Sequence, residues 1–167
     1  VQTAPEVDDM PESSNPFTEI FNNSNEIQEE RKKAISEYNK GNYDVAFRLF
    51  SKLSKNGDSE SQFYLGLMYA NGQGVEQSYE EAVKWYKMSA DQGDASAQYN
   101  LGLMYENGQG VKKSLSKALE LYTQSYDNKR TSGKDKIDLL ESMIGLIGGT
   151  VENDLEKSSG YSTRPSP

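Results

Sequence analysis

Two stretches of the chain are nearly the same. LGLMYANGQG occupies residues 65–74 and LGLMYENGQG occupies residues 101–110, so nine of ten letters recur 36 residues apart. At this offset 15 of 30 positions are identical between residues 61–90 and 97–126, and weaker matches extend upstream into residues 43–58. A fixed period of this length predicts a repeat architecture, in which each unit buries its apolar side against its neighbours.

Within each unit the apolar residues follow the spacing of two short helices. Leu65 and Tyr69 stand four residues apart in the first helix, and residues 79–86 place Tyr, Ala, Val and Tyr at i, i+3, i+4 and i+7 in the second. Ser78 followed by Glu81 has the pattern of a capping box at the start of the second helix. We therefore predict an all-α fold: an α-solenoid of antiparallel helix hairpins, with about three repeats and a C-terminal capping helix.

The Gly-x-Gly of the repeat is predicted to be a turn and not a phosphate-binding loop. Gly72 and Gly74 follow a helical pattern, whereas a dinucleotide-binding loop follows a strand and needs a third glycine, where this chain has Gln77. Glycine tolerates the positive φ that a helix end requires. Gly93 is predicted to end the second helix in the same left-handed conformation.

Two further glycines, Gly66 and Gly102, lie inside predicted helices. A glycine at such a position costs about 1 kcal/mol relative to alanine. We expect the compensation to come from the close approach of the partner helix, backbone to backbone, through Ala82 or Ala118.

The segment AQYNLGLMYENGQGVKKSLSKALELY resembles the Sel-one-like repeat, a relative of the tetratricopeptide repeat, and the resemblance covers residues of about 60–130. The first unit departs from the pattern, because only four residues separate Tyr38 from Tyr43, as in an ordinary tetratricopeptide turn. The resemblance implies a scaffold for membrane-associated or enzyme complexes. The matching positions are Leu65, Gly66, Tyr69, Gly72, Gly74, Val75, Ala82, Trp85, Tyr86, Ala90 and Gly93, then Ala97, Leu101, Gly102, Tyr105, Gly108, Gly110, Val111, Lys117, Ala118 and Tyr122.

The repeats are expected to end shortly after residue 126. Ile137, Leu140, Ile144 and Ile147 then recur at helical spacing, which predicts a last helix over the open end of the array. We predict three parts: an acidic disordered tail (1–26), a helical-repeat domain (27–148) and a second disordered tail (149–167).

Composition removes several kinds of chemistry. The chain has neither cysteine nor histidine, so it has no thiolate or imidazole metal site and no Ser-His-Asp triad, and we predict no cofactor and no metal. Residues 1–30 carry eight acidic and no basic residues, while residues 31–150 carry fifteen acidic and sixteen basic ones. The acidic tail argues against nucleic acid and anionic membranes, and no apolar run predicts membrane insertion.

The predicted function is a non-enzymatic adaptor that binds a partner protein or peptide on the concave face of the solenoid. The first helices of successive units should line that face. Their asparagines can hydrogen-bond a peptide backbone, and their Leu and Met side chains offer apolar contacts. Leu67, Met68 and their copies are also open to interpretation as core residues. The predicted partner-binding residues are Tyr64, Leu67, Met68, Asn71, Asn100, Leu103, Met104 and Asn107.

Two other functions stay open. In one, the chain is a regulatory or assembly subunit whose acidic tail docks on a solenoid groove through residues 15–21, where Phe17, Ile20 and Phe21 share one helical face. The more remote one is a carboxylate-based glycoside-cleaving enzyme. Its candidate acids, which stand at positions typical of a solvated surface, are Glu76, Glu80, Glu81 and Glu106.

Overall fold

The computed structural model describes the backbone of residues 16–128 and 134–145, and the side chains from residue 23 onward. These residues form seven helices and no strand, which confirms the predicted all-α fold. The helices are α1 (Pro16–Asn39), α2 (Tyr43–Lys55), α3 (Ser59–Asn71), α4 (Tyr79–Asp91), α5 (Ala95–Asn107), α6 (Leu115–Asp127) and α7 (134–145).

Each helix from α1 to α6 packs against the next along the chain, and the closest pairs are the hairpins α3–α4 and α5–α6. Helices α2 to α6 have 13 residues each. The starts of α2, α4 and α6 lie 36 residues apart, as do those of α3 and α5. The sequence period is therefore the structural period, and the fold is a solenoid of stacked hairpins.

Helix α1 begins at Pro16, inside the segment 1–26 that the sequence analysis assigned to a disordered tail. Proline is well tolerated at the first position of a helix. Extending a nucleated helix needs little further free energy, so residues too polar for a core can still continue a helix that packs elsewhere. Residues 1–15 and 146–167, which include most of both predicted tails and Ile147, lie outside the described residues.

Aspartate and serine side chains start the repeated helices. Asp58 and Asp94 accept hydrogen bonds from the N–H groups of the third residues of α3 and α5, at 2.9 and 2.7 Å. Ser78 does the same for Glu81 at the start of α4, and Ser114 caps α6. An N-cap of this kind stabilises a helix by about 1 kcal/mol.

Glycines form the turns, as predicted. Gly72 (φ 66°) and Gly93 (φ 89°) adopt the left-handed conformation after α3 and α4. Gly74 has a second role, because a Cβ built on it would lie 2.7 Å from the backbone of Tyr43 at the start of α2. The loop between α3 and α4 thus packs against the preceding hairpin, a position that only glycine allows.

The glycines inside α3 and α5 are needed for a different reason from the one expected. A Cβ built on Gly66 would lie 2.5 Å from Cδ1 of Tyr86, and one on Gly102 would lie 2.6 Å from Cε1 of Tyr122. The close contact is therefore with an aromatic ring of the hairpin partner and not with Ala82 or Ala118. Since both tyrosines are almost completely buried, each glycine makes room for the largest fully buried side chain of its hairpin.

Helix α7 packs on α6 in the position that the next repeat would occupy. Leu140 is 1 % exposed and contacts the cluster that contains Ala118 and Tyr122. It lies 36 residues after Met104, as Ile137 lies 36 residues after Leu101. Helix α7 thus continues the register of α3 and α5 and covers α6, in agreement with the predicted capping helix.

Candidate functional site

The eight predicted partner-binding residues do not share one environment. Met68 is completely buried and Met104 is 8 % exposed, and each belongs to a core cluster between helices. Met68 and Met104 are therefore core residues. Each stands at the edge of the apolar face of its helix, where the packing of neighbouring helices decides whether a side chain is buried. The other six keep some or most of their surface exposed.

Tyr64 is the most constrained of the six. Its ring stacks on Phe50 with centroids 4.6 Å apart and an interplanar angle of 3°, and the edge of Tyr38 approaches at 5.2 Å. Burial raises the pKa of Tyr64, and the negative charge of Glu60 adds to the effect. The side chain is a rigid aromatic wall whose hydroxyl stays neutral at physiological pH.

The asparagines differ in availability. Asn71 and Asn107 are exposed at the C-terminal ends of α3 and α5. Asn100 is half-buried and donates a hydrogen bond from Nδ2 to the hydroxyl of Tyr86 at 3.3 Å. Asn71 and Asn107 can therefore contact a partner directly, whereas Asn100 already holds α5 against α4.

Helix α7 adds residues that the sequence analysis did not assign to this surface. Leu67 and Leu103 recur as Leu139, and Asn71 and Asn107 recur as Met143, both at the 36-residue spacing. Leu139 is 52 % exposed and Met143 is 41 % exposed. The signal was present in the sequence, since the offset that aligns α3 with α5 also aligns α5 with α7. We call the equivalent helices α3, α5 and α7 the A-helices. The A-helix surface consists of these two residues and the six accessible predicted ones: Tyr64, Leu67, Asn71, Asn100, Leu103, Asn107, Leu139 and Met143.

An open groove of about 430 Å³ lies where the N-terminal ends of α3 and α5 meet α1. Tyr64 is its one residue from the predicted set. Asp58 and Asp94 stand at equivalent positions 36 residues apart, but this spacing alone does not connect them to a surface. The groove is lined by Arg31, Asp58, Ser59, Glu60, Phe63, Tyr64, Asp94 and Ser96.

Arg31 neutralises one side of this groove. Its Nη1 lies 2.9 Å from Oε2 of Glu60 and 3.5 Å from Oδ1 of Asp58. Asp94, on the other side, accepts the N–H of Ala97, and it has no ion pair among the residues that the structure describes. The groove is therefore acidic at its α5 side.

Glu106 joins three helices. Its carboxylate accepts hydrogen bonds from the hydroxyl of Tyr122 and from Nζ of Lys136, the latter at 3.0 and 3.1 Å. Burial by itself raises the pKa of Glu106, but the bonds from Tyr122 and Lys136 outweigh burial and hold the pKa below its ordinary value. The equivalent of Glu106 in the preceding repeat is Ala70, which cannot form this ion pair. The pair between Glu106 and Lys136 therefore belongs to the contact of α5 with α7 and helps to position α7.

The other carboxylates considered for catalysis lie in the loop before α4 and in the first turn of that helix. Glu76 and Glu80 are exposed, and Glu81 pairs with Lys84. Across residues 16–128 and 134–145, no group of three acidic side chains could hold a metal ion. Trp85 packs against the buried apolar cluster that α1, α2 and α3 form. No helix within the same ranges is long and apolar enough to cross a membrane.

The comparison with protein families matches the repeats seen in the structure. The Sel1 repeat model matches residues 38–58, 59–94 and 95–129, which together make up 92 of the 167 residues. A comparison with curated proteins finds no significant match.

Solved structures share the architecture. A Sel1 repeat protein from Oxalobacter formigenes is 31 % identical with a TM-score of 0.63, and the match covers 66 % of this chain and 44 % of that one. The protective antigen c5321 of uropathogenic Escherichia coli, which has an SLR fold, is 24 % identical with a TM-score of 0.66, and the match covers 70 % of this chain and 26 % of that one. Cysteine rich protein B of Helicobacter pylori is 21 % identical with a TM-score of 0.52, and the match covers 54 % of this chain and 68 % of that one.

The last two likenesses, at under 25 % identity, concern the fold alone. The chain spans less than half the length of the first two proteins. The family match rests on the three consecutive repeats, whose glycines, caps and buried tyrosines the structure explains one by one. The chain belongs to the Sel1 repeat family.

Proposed function

We propose that this protein is a non-enzymatic adaptor that holds a partner protein or peptide on the A-helix surface. Sel1 repeat proteins are generally protein-interaction adaptors. The observation that carries the proposal for this chain is the exposure of Leu139 and Met143 at positions equivalent to Leu67 and Asn71. Exposed apolar side chains, on a surface that also carries the exposed amides of Asn71 and Asn107, are typical of a surface that binds another polypeptide.

The A-helix surface is also rigid enough to bind without large rearrangement. Tyr64 stacks on Phe50, and Asn100 is held by Tyr86. A preorganised surface loses little conformational entropy on binding, so a modest contact area is sufficient for recognition. The carboxylate best placed for acid–base chemistry, Glu106, is occupied by Tyr122 and Lys136, which favours the adaptor over a glycoside-cleaving enzyme.

Affinity capture with the full chain, followed by identification of the bound protein, tests the proposal. We expect Leu139→Ser together with Met143→Ser to reduce recovery of the partner at least tenfold. Met88→Ser is the matched control, because Met88 is 47 % exposed on α4, outside the A-helix surface. Equal recovery by the folded double variant and the control would remove α7 from the binding site and contradict the proposal.

Docking of residues 15–21 is a second arrangement, and the length of α1 bears on the form it would take. A helix of 24 residues spans about 36 Å, whereas the 13-residue helices beside it span about 20 Å. This extra length favours docking on another molecule over docking on the groove of the same chain. If deletion of residues 1–21 leaves partner affinity unchanged, this regulatory arrangement is wrong.

A further inference from the structure

The groove between α1, α3 and α5 has aromatic walls and an acidic rim. Tyr64 and Phe63 lie edge to face, with centroids 5.4 Å apart, and Phe63 also contacts the ring of Tyr86 at 6.1 Å. These contacts fix both rings in place. Asp58, Glu60 and Asp94 contribute three carboxylates to the lining, against the single guanidinium of Arg31.

The charge of the groove follows from the sequence of its helices. Helices α3 and α5 with their N-cap residues contain four acidic side chains and no lysine or arginine. Flanking helices neutralise three of them, since Arg31 of α1 pairs with Asp58 and Glu60, and Lys136 of α7 pairs with Glu106. The fourth, Asp94, faces the groove without a cation from the described part of the chain.

We propose that this groove receives a lysine or arginine side chain of the bound polypeptide, with Asp94 as its counter-ion. This inference rests on the proposed function and states the chemistry of the partner. The alkyl stem of the basic side chain packs along Phe63 and Tyr64, while its charged end reaches the carboxylate. Aromatic rings attract cations as well, so both walls of the groove favour the same ligand.

The expected contribution is one of specificity more than of affinity. The groove is open to solvent, and an ion pair at such a site adds little net free energy. The N-terminus of α5 points at Asp94 and already stabilises its negative charge. We therefore expect the ion pair with Asp94 to change affinity about fivefold, and an acidic side chain at the same position to be rejected by Asp94.

The test uses the full chain and a display library of random twelve-residue peptides. We expect selection to enrich lysine or arginine at one peptide position. Asp94→Asn should then weaken the best peptide about fivefold, while the helix stays capped because asparagine is as good an N-cap as aspartate. Asp91→Asn is the matched control, since it removes the same charge from an exposed position at the end of α4. That control should leave the affinity unchanged.

A double-mutant cycle completes the test. Replacing the enriched basic residue of the peptide with norleucine should cost about fivefold more affinity in the wild-type chain than in Asp94→Asn, because only the wild type has the ion pair. Selected peptides without a basic position, or equal affinity for Asp94→Asn and the wild type, overturn the inference while leaving the adaptor function in place. Failure of both peptide selection and partner capture overturns the proposed function and this inference with it.

Discussion

Replacement of Gly66 with alanine should destabilise this protein, although the same change in an open helix stabilises one. Alanine is better than glycine inside a helix by about 1 kcal/mol. At Gly66, however, the new Cβ would lie 2.5 Å from Cδ1 and 2.7 Å from Cε1 of Tyr86. Carbon atoms in good contact are about 3.5–4 Å apart, so the ring has to move by roughly 1 Å.

Tyr86 has little freedom to move. It is 1 % exposed, its ring contacts Phe63, and its hydroxyl accepts the hydrogen bond from Asn100. Overpacking of a core typically costs about 1–3 kcal/mol, and the immobile ring places this site at the upper end of that range. After subtraction of the helix-propensity gain, the expected loss is about 2 kcal/mol in the free energy of unfolding.

The measurement is urea unfolding followed by far-ultraviolet circular dichroism. Gly145→Ala is the control, because Gly145 is helical and a Cβ built on it meets no atom within 4 Å. That control should be neutral or stabilise by up to about 1 kcal/mol. In a Tyr86→Leu background, Gly66→Ala should lose most of its cost. If Gly66→Ala is as favourable as Gly145→Ala in the wild type, the ring contact does not explain the glycine.

Two further predictions concern pH. Because the folded-state pKa of Glu106 lies below the ordinary value of 4.5, its ion pair with Lys136 stabilises the fold fully above pH 4.5 and fades as the pH falls through the folded-state pKa. The stability difference between wild type and Glu106→Gln should therefore be largest near pH 7 and shrink as the pH falls below 4.5, and a constant difference in urea midpoints would contradict this. Burial raises the pKa of Tyr86 from 10 to about 12, with the Asn100 hydrogen bond opposing, so its contribution is complete below pH 10 and is lost toward pH 12. Tyr86→Phe should cost about 1 kcal/mol at pH 7 and become relatively more stable above pH 11, as thermal unfolding at both pH values would show.

The boundaries of the repeated helices α3 to α6 and their turns could be read from the sequence because local interactions decide them. The side chain of Ser78 reaches only the first turn of its own helix, and Gly72 adopts at the end of α3 the positive φ that glycine tolerates. The 36-residue period then required the units to stack, because an isolated unit would leave its apolar side exposed to water. The order of the helices and the solenoid followed from these features.

The sequence could not predict which residues of α3 and α5 are buried and which are exposed. Both helices pack against neighbours on more than one side, so their apolar residues do not form a single stripe, and periodicity cannot separate Met68 in the core from Leu67 at the surface. The groove joins side chains from three helices that are distant in sequence, and Gly66 depends on a ring twenty residues away. Such contacts exist only once the hairpins stack, and the tertiary structure alone decided which side chains remained available to a partner.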